Sequence, residues 1–348
     1  MSFHPISSSK SDPAQDSGVQ TSGDHIAAPQ SLPNERGGLR WLIRVVVLVV
    51  GLILAGTIYE SVSEAADIQA YPPLGQMVDV GGYRLHINCT GTGSPTVVID
   101  AGWGDWSLQW SGVQNEVAKT TRVCTYDRAG MGYSEAGPLP RNAEQFAQEL
   151  HTLLERANIP GPYVMVGHSL GGLPVRVFVH NYPTEVAGVV LIDSMSPRQI
   201  TQPPTELEPQ TPSQSSGISL PFLVARIGLV RLLAEPLGLV RNLPPEAQSA
   251  FTAFSVTPRS VQAWADEGAG MQESLAQADA IKTFGDLPLI VLTAVLDEQV
   301  GWQTWQVELL QLSSNSQQMF ADKSSHNIQI DQPQAAVAAI VKMVGQLR

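Results

Sequence analysis

The sequence predicts an α/β fold over residues 77–348, with a mostly parallel central sheet flanked by helices. Short β-branched apolar runs, which suit strands buried on both faces of a sheet, alternate there with helix-like segments. Strands that alternate with helices are joined by crossovers and therefore pair in parallel. Hydrophobic residues make up 43% of the 348-residue chain, which is enough for one large core.

Six apolar runs carry the strand pattern. In chain order they read YRLHINC, TVVIDAG, TRVCTYD, YVMVGHS, AGVVLID and PLIVLTA. Apolar residues recur at helical spacing in AEQFAQELHTLLERANI and in QAAVAAIVKMVGQL, which we predict to be helices. Residues 198–286, which separate AGVVLID from PLIVLTA, begin Pro/Ser/Gln-rich and continue as LPFLVARIGLVRLLAEPLGLV. We predict a helical cap over the site there; the alternative is an insertion with no role in substrate access.

The N-terminal part has a different composition. Residues 1–38 are mostly polar and predict a disordered cytoplasmic tail. Residues 39–60 predict a transmembrane helix, because about 20 apolar residues span a bilayer and Arg44 lies near one end, where it can snorkel. Basic residues precede the apolar stretch and acidic residues follow it, which places the N-terminus in the cytoplasm and the rest outside. They are Arg36, Arg40 and Arg44, then Glu60, Glu64 and Asp67.

Two alternatives to a membrane anchor remain. The apolar stretch could be a buried core helix, although it lies beside a polar tail. It could instead be a signal peptide cleaved near Ser63-Glu64-Ala65, which would leave a secreted protein. Both the anchored and the secreted forms place the globular part outside the cytoplasm.

Composition excludes several function classes. The net charge of −12 argues against nucleic acid as a partner, because phosphate binding needs a basic surface. The chain has no CxxC, HExxH or GxxxxGK[ST] motif, so we expect no metal and no cofactor.

The segment YVMVGHSLGGL predicts a nucleophile at Ser169. An apolar strand precedes it, Gly167 and Gly171 flank it, and a helix-like run follows, as in a nucleophile elbow. The glycines suit a turn in which a side chain would crowd the backbone. The alternative is a glycine-rich turn with a passive serine.

A serine nucleophile needs a base and a supporting acid. His326, in FADKSSHNIQIDQP, lies in a loop late in the chain and is the predicted general base. Asp297 in AVLDEQV and Asp193 in VVLIDSMSP each follow a strand, and both loops open on the same edge of a parallel sheet. One of the two aspartates is therefore the acid, and the sequence leaves the choice open.

Two backbone N–H groups are expected to form the oxyanion hole. Leu170, directly after the nucleophile, should supply one. Trp103, which follows Gly102 in the glycine-rich AGWGDW loop, should supply the other. The alternative for this loop is a glycine turn with a packed tryptophan.

Taken together, residues 77–348 resemble an α/β-hydrolase-fold serine hydrolase of the lipase- or esterase-like, membrane-anchored bacterial type. Besides VGHSLGG, the segment YDRAGMGYS is similar to the D-R-x-G-x-G-x-S loop of that superfamily, and SSHNIQIDQP is similar to its histidine segment. Ser325 departs from the usual glycine before the histidine, and Ala101 from a frequent histidine before the oxyanion glycine. The resemblance implies a cap between the sixth and seventh strands.

The same resemblance places Cys89 and Cys124 on the second and fourth strands, which are neighbours in that fold. A disulfide between them is expected outside the cytoplasm, with two buried thiols as the alternative.

The expected function is hydrolysis of carboxylic esters, with a lipid-like or other small-molecule ester as substrate. A serine nucleophile disfavours the haloalkane dehalogenase and epoxide hydrolase chemistry that shares the fold. The alternatives are amide, peptide or C–C bond cleavage on the same fold, or a non-catalytic membrane-tethered binding protein.

Overall fold

The computed structural model describes residues 35–200, 219–236, 243, 245–296 and 299–348. The predicted disordered tail up to residue 34 and the polar start of the cap at 201–218 lie outside the described residues. The chain divides into two units, Met1–Val49 and Val50–Arg348. The second unit holds the sheet, the cap and the C-terminal part of the first helix.

Eight strands form the sheet. They are β1 (Gln76–Asp79), β2 (Arg84–Thr90), β3 (Thr96–Asp100), β4 (Val123–Tyr126), β5 (Tyr163–His168), β6 (Val186–Ile192), β7 (Leu289–Ala294) and β8 (Ser316–Ala321). Their order is β1-β2-β4-β3-β5-β6-β7-β8. Strands β3 to β8 pair in parallel, whereas β2 is antiparallel to both of its neighbours. The prediction of a mostly parallel α/β sheet is confirmed.

Helices cover both faces of the sheet. The described helices outside the cap are α1 (Glu35–Ala70), which is largely exposed, and α2 (Ser111–Val117), α3 (Ala143–Arg156), α4 (Gly172–Asn181), α10 (Trp302–Leu309), α11 (Ile328–Asp331) and α12 (Pro333–Gln346). Successive strand residues point to opposite faces, so Met165 packs with α3 and α4, while Val164 and Val166 pack with α2 and α12. The β-branched strand residues are therefore buried on both sides, as their composition predicts.

The cap lies between β6 and β7. Its described helices are α5 (Leu220–Arg226), α6 (Leu229–Leu233), α7 (Pro245–Ser255), α8 (Pro258–Ala269) and α9 (Met271–Ala280). Phe251 and Phe254 of α7 pack around Trp106, which follows β3, in a separate apolar cluster. This packing attaches the cap to the loops at the carboxyl edge of the sheet.

Helix α1 is longer than the predicted transmembrane segment. It begins at Glu35 rather than 39, and it continues for ten residues beyond residue 60. It is long and apolar enough to cross a membrane, and the side chains of its apolar stretch are exposed.

A disulfide joins Cys89 of β2 to Cys124 of β4. The two residues lie directly opposite each other in the antiparallel register. The covalent bond therefore links the antiparallel edge of the sheet to its parallel part.

Candidate active site

Ser169 occupies a strained turn between β5 and α4. Its φ of +50° lies in the left-handed region, which is rare for residues other than glycine. A Cβ on Gly167 would come within 2.7 Å of the Gly171 carbonyl oxygen, and a Cβ on Gly171 would overlap the backbone of Asp100 and Ala101. Both glycines are thus required for the chain to turn this tightly against the end of β3.

A continuous chain of short contacts links Ser169, His326 and Asp193. The Ser169 Oγ lies 2.9 Å from His326 Nε2, and His326 Nδ1 lies 2.7 Å from Asp193 Oδ2. Because an ionised carboxylate only accepts hydrogen bonds, Nδ1 carries the proton and Nε2 is left to accept the hydrogen of the serine hydroxyl. This arrangement can remove a proton from Ser169.

The Asp193 carboxylate is fully buried at the end of β6. Its second oxygen, Oδ1, accepts a hydrogen bond of 2.9 Å from the Ala294 N–H at the end of β7. Asp193 also has a positive φ, +42°, so the backbone itself turns the carboxylate toward His326. Of the two aspartates left open by the sequence, Asp193 is in contact with His326, whereas Asp297 lies outside the described residues.

The His326 imidazole is held between aromatic rings and remains one-third exposed. The Trp302 ring meets it edge-on at 5.3 Å, and the His168 ring lies 4.9 Å away. His168 Nε2 lies 3.0 Å from the His326 carbonyl oxygen, so the residue just before the nucleophile supports the backbone of the base. No pattern in the sequence pairs Trp302 or His168 with His326, so neither contact was predicted.

The glycine-rich loop after β3 passes directly beside the nucleophile. A Cβ on Gly102 would lie 3.3 Å from Ser169 Cβ and 2.9 Å from His168 Nδ1. Trp103, predicted to donate its backbone N–H, stacks its ring on Trp264 of α8 at a centroid distance of 5.0 Å. The other predicted donor, Leu170, is buried next to Ser169.

Arg128 holds the backbone of that loop by hydrogen bonds, and the sequence analysis assigned it no role. Its guanidinium is almost fully buried and donates to Asp100 Oδ1 at 2.7 Å and to the carbonyl oxygens of Ala101 and Gly102 at 2.7 and 2.6 Å. Its Nε donates to Glu267 of α8 at 2.6 Å. The available signal was the YDRAGMGYS motif, which contains this arginine.

Glu267 of α8 connects Arg128 and the glycine-rich loop to the cap. Its Oε2 accepts the Gly104 N–H at 3.1 Å, so one carboxylate of α8 contacts both Arg128 and the glycine-rich loop. Burial would lower the pKa of Arg128, but the Glu267 and Asp100 carboxylates outweigh burial and raise it. Burial raises the pKa of Asp100 to about 6, an effect that Arg128 and Tyr126 only partly offset.

Asp127 is a second buried carboxylate under the site. It accepts the Ser107 N–H at 2.9 Å and the Tyr133 N–H at 3.0 Å, and its Oδ2 lies 3.0 Å from His86 Nδ1. Burial by itself would raise the pKa of Asp127, but His86 and these hydrogen bonds outweigh burial and lower it. Asp127 therefore ties together two loops at the carboxyl edge of the sheet.

Comparison with known proteins identifies relatives of this arrangement. The family described as alpha/beta hydrolase fold matches residues 95–333. An AB hydrolase superfamily protein of Gibberella zeae is 25% identical over 281 residues, which cover 72% of this chain and 87% of that protein. A thermophilic esterase from Thermogutta terrifontis superposes with a TM-score of 0.59 at 22% identity, over 78% of this chain and 98% of the esterase.

Another match is much longer than this chain. The "Probable transporter efuK" of Hormonema carpetanum is 36% identical over 126 residues, which cover 34% of this chain and 18% of that protein. The matched region is therefore a minor part of that protein.

Proposed function

Because this chain belongs to the alpha/beta hydrolase fold family, we propose that it is a serine hydrolase that cleaves carboxylic esters and is anchored in a membrane by α1. The observation that carries the proposal is the chain of contacts from Ser169 through His326 to Asp193, in a strained turn beside a glycine-rich loop. A serine hydroxyl becomes a useful nucleophile when an oriented base accepts its proton.

Acylation begins when the Ser169 Oγ attacks the ester carbonyl carbon and His326 Nε2 takes the hydroxyl proton. The Asp193 carboxylate stabilises the resulting imidazolium. The N–H groups of Leu170 and Trp103 hold the negative oxygen of the tetrahedral intermediate. His326 then returns the proton to the departing alkoxide, and the alcohol leaves an acyl-serine. Water attacks the acyl-serine with His326 again as base, which releases the acid and restores Ser169.

The identity of the nucleophile favours acyl transfer over the other chemistries of this fold. In a displacement at an alkyl halide or epoxide carbon, a carboxylate nucleophile leaves an ester, which water can then hydrolyse. Ser169 would leave an alkyl ether, which has no carbonyl for water to attack. A carbonyl substrate is therefore the one that lets Ser169 turn over.

Membrane anchoring is the second part of the proposal. The apolar side chains of α1 are exposed, and the helix is long enough to cross a bilayer. The basic flank before the apolar stretch and the acidic flank after it favour a cytoplasmic N-terminus. An anchored enzyme with an apolar cap suits a lipid-like ester as substrate.

A fluorophosphonate probe tests the serine chemistry. We expect the full-length protein to be labelled, Ser169→Ala to lose the label, and Ser314→Ala, at an exposed serine, to keep it. Folded wild-type protein that takes no label would instead support a non-catalytic binding protein. A series of p-nitrophenyl esters and matched anilides then defines the substrate class, and faster turnover of the anilides would reassign the enzyme as an amidase.

A further inference from the structure

The cap helices α5 and α6 pack closely on the C-terminal part of α1. A Cβ on Gly56 of α1 would overlap the carbonyl oxygen of Ile227, in the turn between α5 and α6. A Cβ on Gly228 in the same turn would come within 2.7 Å of the Tyr59 ring. Glycine at both positions therefore allows the α5–α6 turn to lie directly against α1.

Two ion pairs fix this contact. Arg231 of α6 donates from Nε to Glu60 at 2.9 Å and from Nη1 to Asp67 at 2.6 Å. The Glu60 side chain is completely buried and that of Arg231 is 14% exposed. Loss of one partner would strand a buried charge, so the pairs hold the α5–α6 hairpin (residues 220–233) in one position on α1.

The outer surface of the hairpin is apolar and exposed. Leucines on both short helices point away from the core, and the neighbouring turns of α1 expose apolar side chains as well. The exposed leucines are Leu220, Leu223, Leu229, Leu232 and Leu233. The corresponding residues of α1 are Leu52, Ile53, Leu54 and Ile58. Exposed apolar side chains gathered on elements that pack together in this way indicate an interaction site.

We propose that the α5–α6 hairpin is a membrane-contact surface that lies in the leaflet from which α1 emerges. The proposal rests on the anchoring role of α1 proposed above, and the position of the turn on α1 carries it. Gly56 and Tyr59 lie four residues and one residue before residue 60, where the sequence predicts that the apolar span ends; at 1.5 Å per residue this is about 6 Å and 1.5 Å inside it. Interfacial helices lie about 5–10 Å into the headgroup and acyl boundary, a depth that the contact at Gly56 reaches, whereas the contact at Tyr59 lies nearer the headgroups.

The membrane-contact surface is joined to the catalytic part of the cap. Ser219, the residue before α5, donates through its N–H and Oγ to Gln262 of α8 at 3.1 and 2.8 Å. The same helix α8 carries Glu267, which contacts the glycine-rich loop beside Ser169. The cap thus connects the proposed lipid-contact surface to the glycine-rich loop beside the nucleophile, which favours esters that are taken from the leaflet.

Depth-dependent fluorescence quenching tests the proposal. Both native cysteines form the disulfide, so Leu223→Cys and Leu232→Cys each introduce a single free thiol into the full-length chain. A polarity-sensitive fluorophore on each is measured in phosphatidylcholine–phosphatidylglycerol vesicles with nitroxide-labelled lipids. Phe320→Cys is the matched control, because this exposed apolar residue lies on β8, at the far edge of the sheet from β1.

We expect labels at 223 and 232 to be quenched about fivefold more strongly than the label at 320. Equal quenching at the three positions, in protein that co-sediments with vesicles, would overturn the proposal. Shielding from water without lipid quenching, together with cross-links between copies, would overturn it in favour of a dimer interface. Protein that does not co-sediment with the vesicles would refute membrane anchoring by α1. Fluorophosphonate labelling of each variant shows, independently of lipid contact, whether the domain is folded and Ser169 is reactive.

Discussion

The contacts of Asp193 indicate that it is the acid that supports His326. Its carboxylate is buried, fixed by the Ala294 N–H and 2.7 Å from His326. Asp193→Asn can no longer hold Nδ1–H as the donor, so Nε2 is no longer kept free to accept the serine proton. We expect kcat for an ester to fall by about 10⁴-fold, as it does when the acid of such a triad becomes an amide.

Asp297→Asn is the control for this measurement. It changes the other aspartate that the sequence leaves open, and we expect kcat to stay within a few-fold of wild type. A larger loss in Asp297→Asn than in Asp193→Asn would assign the acid to Asp297.

At single residues, the sequence predicted what depends on local pattern and left open what depends on distance. Ser169 could be predicted because the glycines and the strand before it are its own neighbours. His326 could be predicted from chain order in the resembled fold. The choice of acid could not, because two parallel strands present an aspartate at the same sheet edge. Arg128 was missed because its partners lie 26–139 residues away.

Asp127 is expected to control stability rather than chemistry. Its pKa is lowered in the folded protein from the ordinary 3.8, so the ionised form stabilises the fold above that pH. This contribution is lost as the pH falls below 3.8 and through the lowered pKa. Asp127→Asn should reduce the free energy of unfolding by about 3 kcal/mol at pH 7, because it breaks a buried, hydrogen-bonded carboxylate site.

Urea unfolding at several pH values between 7 and 3 measures this effect. The difference between wild type and Asp127→Asn should shrink below pH 4. Asp279→Asn, which removes an exposed carboxylate paired with Lys282, should cost less than about 1 kcal/mol. If the difference in the free energy of unfolding between wild type and Asp127→Asn stays constant down to pH 3, ionisation of Asp127 does not stabilise the fold.

Among the elements, helix α8 is connected to the glycine-rich loop by the contacts of Glu267 with Arg128 and with the Gly104 N–H. These contacts connect the cap to the loop that carries a proposed oxyanion donor. Glu267→Gln leaves Arg128 with Asp100 but weakens its hold on the loop from the cap side. We expect kcat to fall by about 10- to 100-fold with little change in KM, because a displaced oxyanion donor affects the transition state more than the bound ester.

The rate of phosphonylation by a fluorophosphonate separates positioning from mere stability. It should fall in parallel with kcat in Glu267→Gln, because the phosphonate oxygen uses the same donors. Glu273→Gln on α9 changes an exposed glutamate and should leave both rates unchanged. If Glu267→Gln lowers the melting temperature but not the phosphonylation rate, Glu267 has a structural role alone.

The elements that sequence reasoning missed are those without a strong apolar pattern. Strands β1 (QMVD) and β8 (SQQMFA) are the edges of the sheet, and most of their side chains are partly or fully exposed. Edge strands carry no two-sided apolar run, so their sequences resemble loops. Helix α1 exceeded its predicted end because Glu60 and Asp67, which resemble a polar flank, are paired with Arg231.

At the largest scale, the described residues of the second unit, Val50–Arg348, are arranged around one edge of the sheet. The loops after β3, β5 and β6 and the loop after β8 meet there, and they bring Gly102, Ser169, Asp193 and His326 together from four parts of the chain. The cap covers the same edge and reaches from the glycine-rich loop, through α8, to α1. The candidate catalytic residues and the proposed membrane-contact surface therefore lie in one structural unit, Val50–Arg348.

The proposed membrane orientation of the full-length protein can be tested in cells. If the N-terminus is cytoplasmic, the catalytic domain faces away from the cytoplasm, where a disulfide such as Cys89–Cys124 persists. A membrane-impermeant fluorophosphonate should then label Ser169 in intact spheroplasts as strongly as after lysis, and cysteine alkylation should require reduction. Labelling that appears only after lysis would reverse the orientation. Labelled protein that is shortened and leaves the membrane fraction without detergent would mean that α1 is cleaved as a signal peptide.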